Sequence, residues 1–461
     1  MDFVKLNLKG QVLVIVALLM LGLVALAALA LDLGMAYGVK AKLNAAVDTA
    51  SYEAAKALGQ GGEESSMKTK AIEIATAYFN ANYPSGYLGA RPNSLTITPV
   101  RDTNTGLWNV TVSAKAQMST LFAGVFGTQY LNIGATSESV RKTLDMVLVL
   151  DTSSSLIPVF DDPTQSTDVK RSANAYVDLF NSLDDRVGLV AFSTGAYPMV
   201  SICGEWPNST QNPPSGTLNC SRGFDKRTVK QAINALSANG NTASGEGMKK
   251  ALGQLNALPP GMRSKNRVIV FFSDGQPNTI NGRFPLGTGG TFDGNLFSET
   301  WNYLRPHTVF DQFKYYDVTG GRNKQITSLP ISGTDIDGTV PFASYNNRRM
   351  LSGDNSDVGL KCDANKAARN MVENVANMAR SQGITVYSLG YGNLLNQTDI
   401  TSDCTTSNEI GATILNRIAN TKESDSYDAS QPSGLYCYAD NISHLKPCFD
   451  KIASAILRIS K

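Results

Sequence analysis

Histidine is nearly absent: the 461 residues contain only His307 and His444. The six cysteines, Cys203, Cys220, Cys362, Cys404, Cys437 and Cys448, form no CxxC pair. Both shortages argue against zinc, whose structural sites are built from Cys and His at short spacings. Charge of one sign is missing too. Lys plus Arg number 41 and Asp plus Glu 39, for a formal net charge of +2, so no basic surplus points to a nucleic-acid partner. No GxxxxGK[ST] loop is present to cradle nucleotide phosphates. The even cysteine count suggests three disulfides in an oxidising compartment. Fifteen connectivities are possible. A Cys203–Cys220 clip across the Pro/Gly/Asn-rich loop between them is the preferred pair; the others stay open, and free buried thiols are the alternative.

A long hydrophobic run is present. VLVIVALLMLGLVALAALAL, residues 12–31, is 20 residues without a charge, roughly 30 Å of helix and enough to cross a bilayer core. Lys5 and Lys9 before it and Asp32 after it favour a short cytoplasmic tail and an exported body, although Lys40 and Lys42 blur the charge rule. The competing reading is a cleaved signal peptide, since Ala25-Leu26-Ala27 and Ala28-Leu29-Ala30 resemble small-residue cleavage sites. The run exceeds the usual length of a signal core, which favours a retained anchor. The pattern then continues: Ala36, Val39, Leu43, Val47, Ala50, Ala54 and Leu58 form the stripe of an amphipathic helix. Gly59, Gly61 and Gly62 end it. Residues 1–58 therefore read as a transmembrane anchor continued by an amphipathic helix, a build that resembles pilin-like subunits.

Residues 59–142 read as a small α+β region, with KTKAIEIATAYFNANY as a helix and SLTITPV, LWNVTVSAKA and LNIGATSESV as half-exposed antiparallel strands. Asp102 to Gly106 reads as a hairpin turn rather than a calcium loop. From 143 to 461, short apolar runs (MVLVLD, RVGLVAFS, RVIVFFSD, ITVYSLGYG) alternate with helical patterns. That alternation predicts an α/β domain with a doubly wound, mostly parallel sheet and ligands at the carboxyl ends of its strands. From Gln276 to about Lys361 no convincing element is visible, but the aromatic content predicts an ordered insertion rising from the ligand face.

The strand VLVL runs straight into DTSSS. Asp151, Ser153 and Ser155 face the same way if the chain there stays extended. Thr242, in NGNTASGEG, precedes a helix, and Asp274, in VIVFFSDG, ends another apolar strand. In a doubly wound sheet these loops emerge side by side. All five offer hard oxygen donors, suited to Mg2+, Ca2+ or Mn2+ rather than zinc or copper. Two carboxylates and three neutral hydroxyls would leave the ion short of ligands, a vacancy suited to a carboxylate from another molecule. As a nucleophile, Ser153 or Ser155 would need a nearby base. Neither serine sits in a GxSxG elbow, and a surface or capping role is expected for both histidines, so no enzyme is expected. Asp335, Asp337, Asp354 and Asp357, within the insertion, are expected to be solvated loop carboxylates rather than a further ligand.

DxSxS after an apolar strand, a Thr in a Gly-Asn-Thr loop and SDG after a later strand resemble the metal-ion-dependent adhesion site of von Willebrand factor A domains. The resemblance implies a central, mostly parallel sheet flanked by helices, and a protein-binding module. It also implies that Ser153, Ser155 and Thr242 hold the metal by hydroxyls while Asp151 and Asp274 act through water. The N-terminal stretch resembles TadE/TadG-type proteins of the bacterial Tad (Flp) pilus system. It shares the Gly before a long apolar helix, the Asp-Leu-Gly at its end and the Ala-rich NAAVDTAS continuation. A prepilin cleavage after Gly10 would call for a glutamate at the position of Ile15, so an uncleaved anchor is expected. Together the resemblances imply an envelope protein, held in the membrane by residues 12–31 or displayed on the pilus or cell surface. Its metal site would dock a carboxylate of a protein partner, other pilus components among the candidates. The alternative is a structural, minor pilin-like subunit with an occluded or non-functional metal site.

Overall fold

The protein is described from a computed structural model covering residues 9–58, 63–102, 107–160, 167–203, 222–285, 290–297, 304–306, 326, 328–329, 333–345, 348–398 and 409–457. The chain divides into two compact units, one running to Arg141 and the other spanning Lys142–Arg458.

In the first unit, α1 (Lys9–Ala57) is a single 49-residue helix. Its large apolar side chains from Leu13 to Leu33 are exposed. Among the described residues it is the one helix long and apolar enough to cross a membrane. Beyond that stretch the spacing of three and four takes over, and Val39, Leu43, Val47, Ala50, Ala54 and Leu58 are fully buried. Each large aliphatic among them contributes about 1.5–3 kcal/mol by leaving water. They pack on α2 (Glu64–Asn82), which buries Met67, Ala71, Ala75 and Phe79 at helical spacing. They also pack on an antiparallel sheet of β1 (Ala90–Arg101), β2 (Trp108–Ser119) and β3 (Tyr130–Arg141). Along β2 alternate residues from Trp108 to Met118 face the core and the others face out. The β1–β2 turn at 103–106 lies outside the described residues. Ser51 of α1 reaches the sheet through its hydroxyl, 3.1 Å from Ser137 Oγ and 2.9 Å from Ser139 Oγ. Asp32 is buried, and its carboxylate accepts the backbone N–H groups of Leu121, Phe122 and Ala123 in the β2–β3 loop.

The second unit alternates strand and helix from its start. β4 (Leu144–Asp151) is followed by the short α3 (Ile157–Phe160) and α4 (Thr167–Asp178), then β5 (Arg186–Phe192) and β6 (Ala196–Val200). Next come α5 (Lys226–Asn234), α6 (Ser244–Ala257) and β7 (Asn266–Ser273). After an insertion carrying β8 (Thr279–Pro285), β9 (Thr291–Phe297) and β10 (Leu304–Pro306), the chain resumes with α7 (Asp357–Ser381) and β11 (Thr385–Tyr391). It closes with α8 (Gly411–Ile418), β12 (Tyr436–Ala439) and α9 (Leu445–Ile456). The main sheet has the order β12–β11–β7–β4–β5–β6, parallel throughout except for β6, which runs antiparallel to β5. Every residue of β4 and β5 is buried, as expected for strands covered on both faces. Val147 and Val149 point to the side covered by α6, α7 and α8. Met146, Leu148 and Leu150 point to the side covered by α4, α5 and α9. The short β6 and β12, and α8, were not visible in the sequence pattern.

The insertion corrects one expectation. It holds a three-stranded antiparallel sheet, β10–β9–β8, where no element was legible. Ile280, Phe284 and Leu296 join the core under α6 and α7, with Ile326, Val340 and Phe342. Asp335 corrects another: it is buried, not solvated. Its carboxylate accepts the N–H groups of Thr339 and Val340 and pairs with Lys249. Asp337 shares Lys249, while Asp354 is exposed and accepts from Ser356. Cys437 and Cys448 form a disulfide that joins β12 to α9. Cys203 and Cys362 are also disulfide-bonded. Cys220 and Cys404, and with them the Cys203–Cys220 pairing, lie outside the described residues.

Candidate metal centre

Strands β5, β4 and β7 are neighbours and parallel, so their carboxyl ends share one edge. β4 ends there on Asp151 and β7 on Ser273, with Asp274 next. The loop before α6 is tied to the same edge by backbone bonds. Ser154 N donates to Gly240 O at 2.9 Å, Asn239 N to Thr152 O at 2.7 Å, and Ala243 N to Ser193 O at 2.7 Å. Gly240 holds a left-handed φ of +83°, and a Cβ there would lie 2.5 Å from Thr194 Oγ1. Only glycine fits that bend.

The side chains follow from this frame. Asp151 is fully buried; its Oδ1 accepts Ser153 N at 2.8 Å and its Oδ2 accepts Ser273 Oγ at 2.6 Å. Ser153 is extended, and the chain then tightens into a 3-10 turn, Ser154–Leu156. The straight DTSSS segment expected from sequence is therefore absent beyond Ser153. The turn still converges the hydroxyls, because buried Leu156 draws the chain inward. Ser153 Oγ and Ser155 Oγ are 3.1 Å apart, and Ser155 Oγ donates to Asp274 Oδ1 at 2.9 Å. Thr242 N donates to Asn278 Oδ1 at 2.8 Å. Its hydroxyl lies 3.9 Å from the position a Cβ would take on Gly275. Asp151, Ser153, Ser155 and Asp274 are thus linked in one chain of contacts, and Thr242 borders it at Gly275. Asp151, Ser153, Thr242 and Asp274 are each 5% exposed or less, while Ser155 opens to solvent.

Electrostatics sharpen the picture. Burial pushes the Asp151 carboxyl up to about 6, against the donors Ser273 and Ser153. Burial and then the charge of Asp151 push Asp274 well above the usual carboxylate range. Among the described residues no lysine or arginine is a source of these shifts. Two mutually repelling buried carboxylates beside hydroxyl oxygens call for a cation. The candidate donors are oxygens alone, so the set fits a hard divalent ion rather than a soft one. Ser273 and Asn278, which orient Asp151 and Thr242, were missed in the sequence. Both stood inside the SDGQPN stretch that drew attention to Asp274.

Residues 145–285 match the family model of the von Willebrand factor type A domain. Residues 10–57 match that of the Flp pilus-assembly TadE/G-like family. The chain joins a TadE/G-like segment to a von Willebrand A domain. No curated protein matches it. Similar solved structures include proximal thread matrix protein 1 from the mussel byssus, with a zinc-occupied metal-ion-dependent adhesion motif. That match is 14% identical at a TM-score of 0.33 and covers 70% of this chain and 48% of the mussel one. The pilus adhesin SpaC from Lactobacillus rhamnosus GG is 13% identical at 0.38, covering 80% of this chain and 34% of SpaC. The von Willebrand domain of the type V pili tip protein Mfa5 from Porphyromonas gingivalis is 17% identical at 0.36, covering 69% and 96%. The chain thus spans about half of the mussel protein and a third of SpaC.

Proposed function

We propose that this TadE/G-like protein is anchored in the bacterial envelope by α1 and uses the β4, α6 and β7 edge of its von Willebrand A domain to bind a partner protein. Binding would run through a divalent cation, in pilus assembly or adhesion. The observation that carries the reading is the pair of buried carboxylates, Asp151 and Asp274, with no basic partner among the described residues and with hydroxyls beside them. The hydroxyls of Ser153, Ser155 and Thr242 would hold the ion directly, and Asp151 and Asp274 would act through water. The ion, when bound, supplies an electrophilic position for a partner carboxylate. The chain's own residues orient the oxygens: Ser273 fixes Asp151, Asn278 fixes Thr242, and the turn at Leu156 sets Ser155 at the solvent edge.

Calorimetric titration of the full-length chain with magnesium, calcium, manganese and zinc, before and after chelation, tests this. Heat is expected with a hard cation, lost in Asp151→Ala and Asp274→Ala while the fold persists. No heat at millimolar metal would overturn the reading. A second reading, a structural subunit with an occluded site, draws on the burial of Asp151, Ser153, Thr242 and Asp274. It predicts that the same variants change stability but not partner binding. Both readings are non-enzymatic. His444, a candidate base, is exposed and sits beside Asp440, and His307 lies outside the described residues.

A further inference from the structure

The β2–β3 loop of the first unit has a construction that a water-facing hairpin does not require. TLFAGVFGTQ, residues 120–129, carries no charge. Leu121 is 65% and Phe122 39% exposed, with Tyr130 beside them at 54%. Phe122, Ala123 and Thr128 share a groove with Ala25, Leu26 and Leu29 of α1. Those helix residues precede the end of the uncharged run by two to six positions, or roughly 3–9 Å along the axis.

Much of the loop's backbone is hydrogen-bonded as well. Asp32 Oδ1 accepts Leu121 N at 2.8 Å, and Oδ2 accepts Phe122 N and Ala123 N at 3.0 and 2.7 Å. Thr120 N donates to Gln129 O, Gly127 N to Gly124 O and Thr128 N to Ala123 O, each at 3.1 Å. A loop normally stays out of hydrocarbon because each bare peptide group there costs several kcal/mol. Here six N–H groups of the loop are taken, three of them by charge-assisted bonds, and Leu121 and Phe122 turn outward, with the exposed polar side chains confined to Thr128 and Gln129 at its far end.

We propose that the β2–β3 loop is a second membrane contact. Leu121 and Phe122 enter the acyl layer near the end of the uncharged run of α1 and Tyr130 sits at the headgroup level, while Asp32 staples the loop to the helix at that depth. The inference rests on α1 being a retained span. Lipid is the occupant because the loop's exposed face continues the exposed apolar surface of α1 at the same level along its axis. Segments lying in the interface bury their apolar side about 5–10 Å deep, which matches the overlap with the helix. Aromatic rings such as Tyr130 favour that boundary.

The test uses the full-length chain in vesicles of phosphatidylethanolamine and phosphatidylglycerol. The photoreactive residue p-benzoylphenylalanine is introduced at Phe122, at Leu23 in the helix, or at Tyr78 on the exposed side of α2. Lipid adducts are expected at Leu23 and Phe122 and not at Tyr78. Adducts at Leu23 without adducts at Phe122, or protein–protein adducts at Phe122, overturn the loop contact and leave the anchor standing. No adduct at either Leu23 or Phe122 overturns both. In Asp32→Asn and Asp32→Ala the Phe122 adduct should fall to the Tyr78 level while the Leu23 adduct persists. An undiminished Phe122 adduct in Asp32→Ala overturns the staple.

Discussion

Ser273 and Asn278 offer no unusual chemistry, yet Ser273 holds the Asp151 carboxylate and Asn278 the backbone of Thr242. Ser273→Ala would leave Asp151 Oδ2 without its donor, at a cost of about 1–3 kcal/mol. The hydroxyl oxygens would stay in place, and metal affinity should fall about 10–100-fold, the usual effect of losing an outer-shell partner. Denaturant unfolding and calorimetry would measure the two effects separately. Glu246, in the first turn of α6, supplies a pH prediction. Its carboxyl is buried with Oε2 unbonded, and burial pushes it up to about 7 despite Lys250 and Lys249. The folded-state value lies above the unfolded one, so its contribution to stability is complete below about pH 4.5 and is lost as pH climbs towards 7. The loss amounts to at most about 3 kcal/mol. Glu246→Gln should therefore be the more stable protein at pH 8 and gain little near pH 4.5, as read by thermal melts at both. Asp151 and Asp274 stand out in the sequence because they sit where apolar strands stop, and Thr242 because it precedes a helix. Their supports do not, because a serine or asparagine acquires such a role only from neighbours on other strands.

Elements with a strong period were readable, and those without one were not. β4, β5, β7 and β11 are apolar runs, and α1, α2, α7 and α9 carry stripes of three and four, so each shows in the chain itself. β8 (TINGRFP) and β9 (TFDGNLF) contain Gly, Asn and Pro and little alternation. They form because Gly282 lies opposite Gly294 and Asn281 bonds Asn295 inside a shared core. β12 is four residues long and survives as an edge strand by pairing with β11 and through its disulfide to α9. Cys437→Ser should cost about 3 kcal/mol, the entropy expected for opening a loop of this length. Hydrogen exchange should show the loss concentrated in β12 and α9. Protection lost evenly across the main sheet would contradict a local tether.

For the whole chain, the length of α1 sets the main expectation. With its apolar surface exposed from Leu13 to Leu33, the protein should stay in the membrane fraction after alkaline carbonate extraction. Its intact mass should retain residues 12–31; a mature chain beginning after Ala27 or Ala30 would contradict the anchor. The same helix passes from that exposed stretch into the buried stripe starting at Val39 without a proline or a break. Nothing slack therefore lies between the exposed apolar half and the half locked against α2 and the sheet. With α1 held in a bilayer, a pull on this body would load the lipid at once. Under tension it should fail by dragging the helix out of the lipid or by stripping the sheet from it, with no compliant stage beforehand.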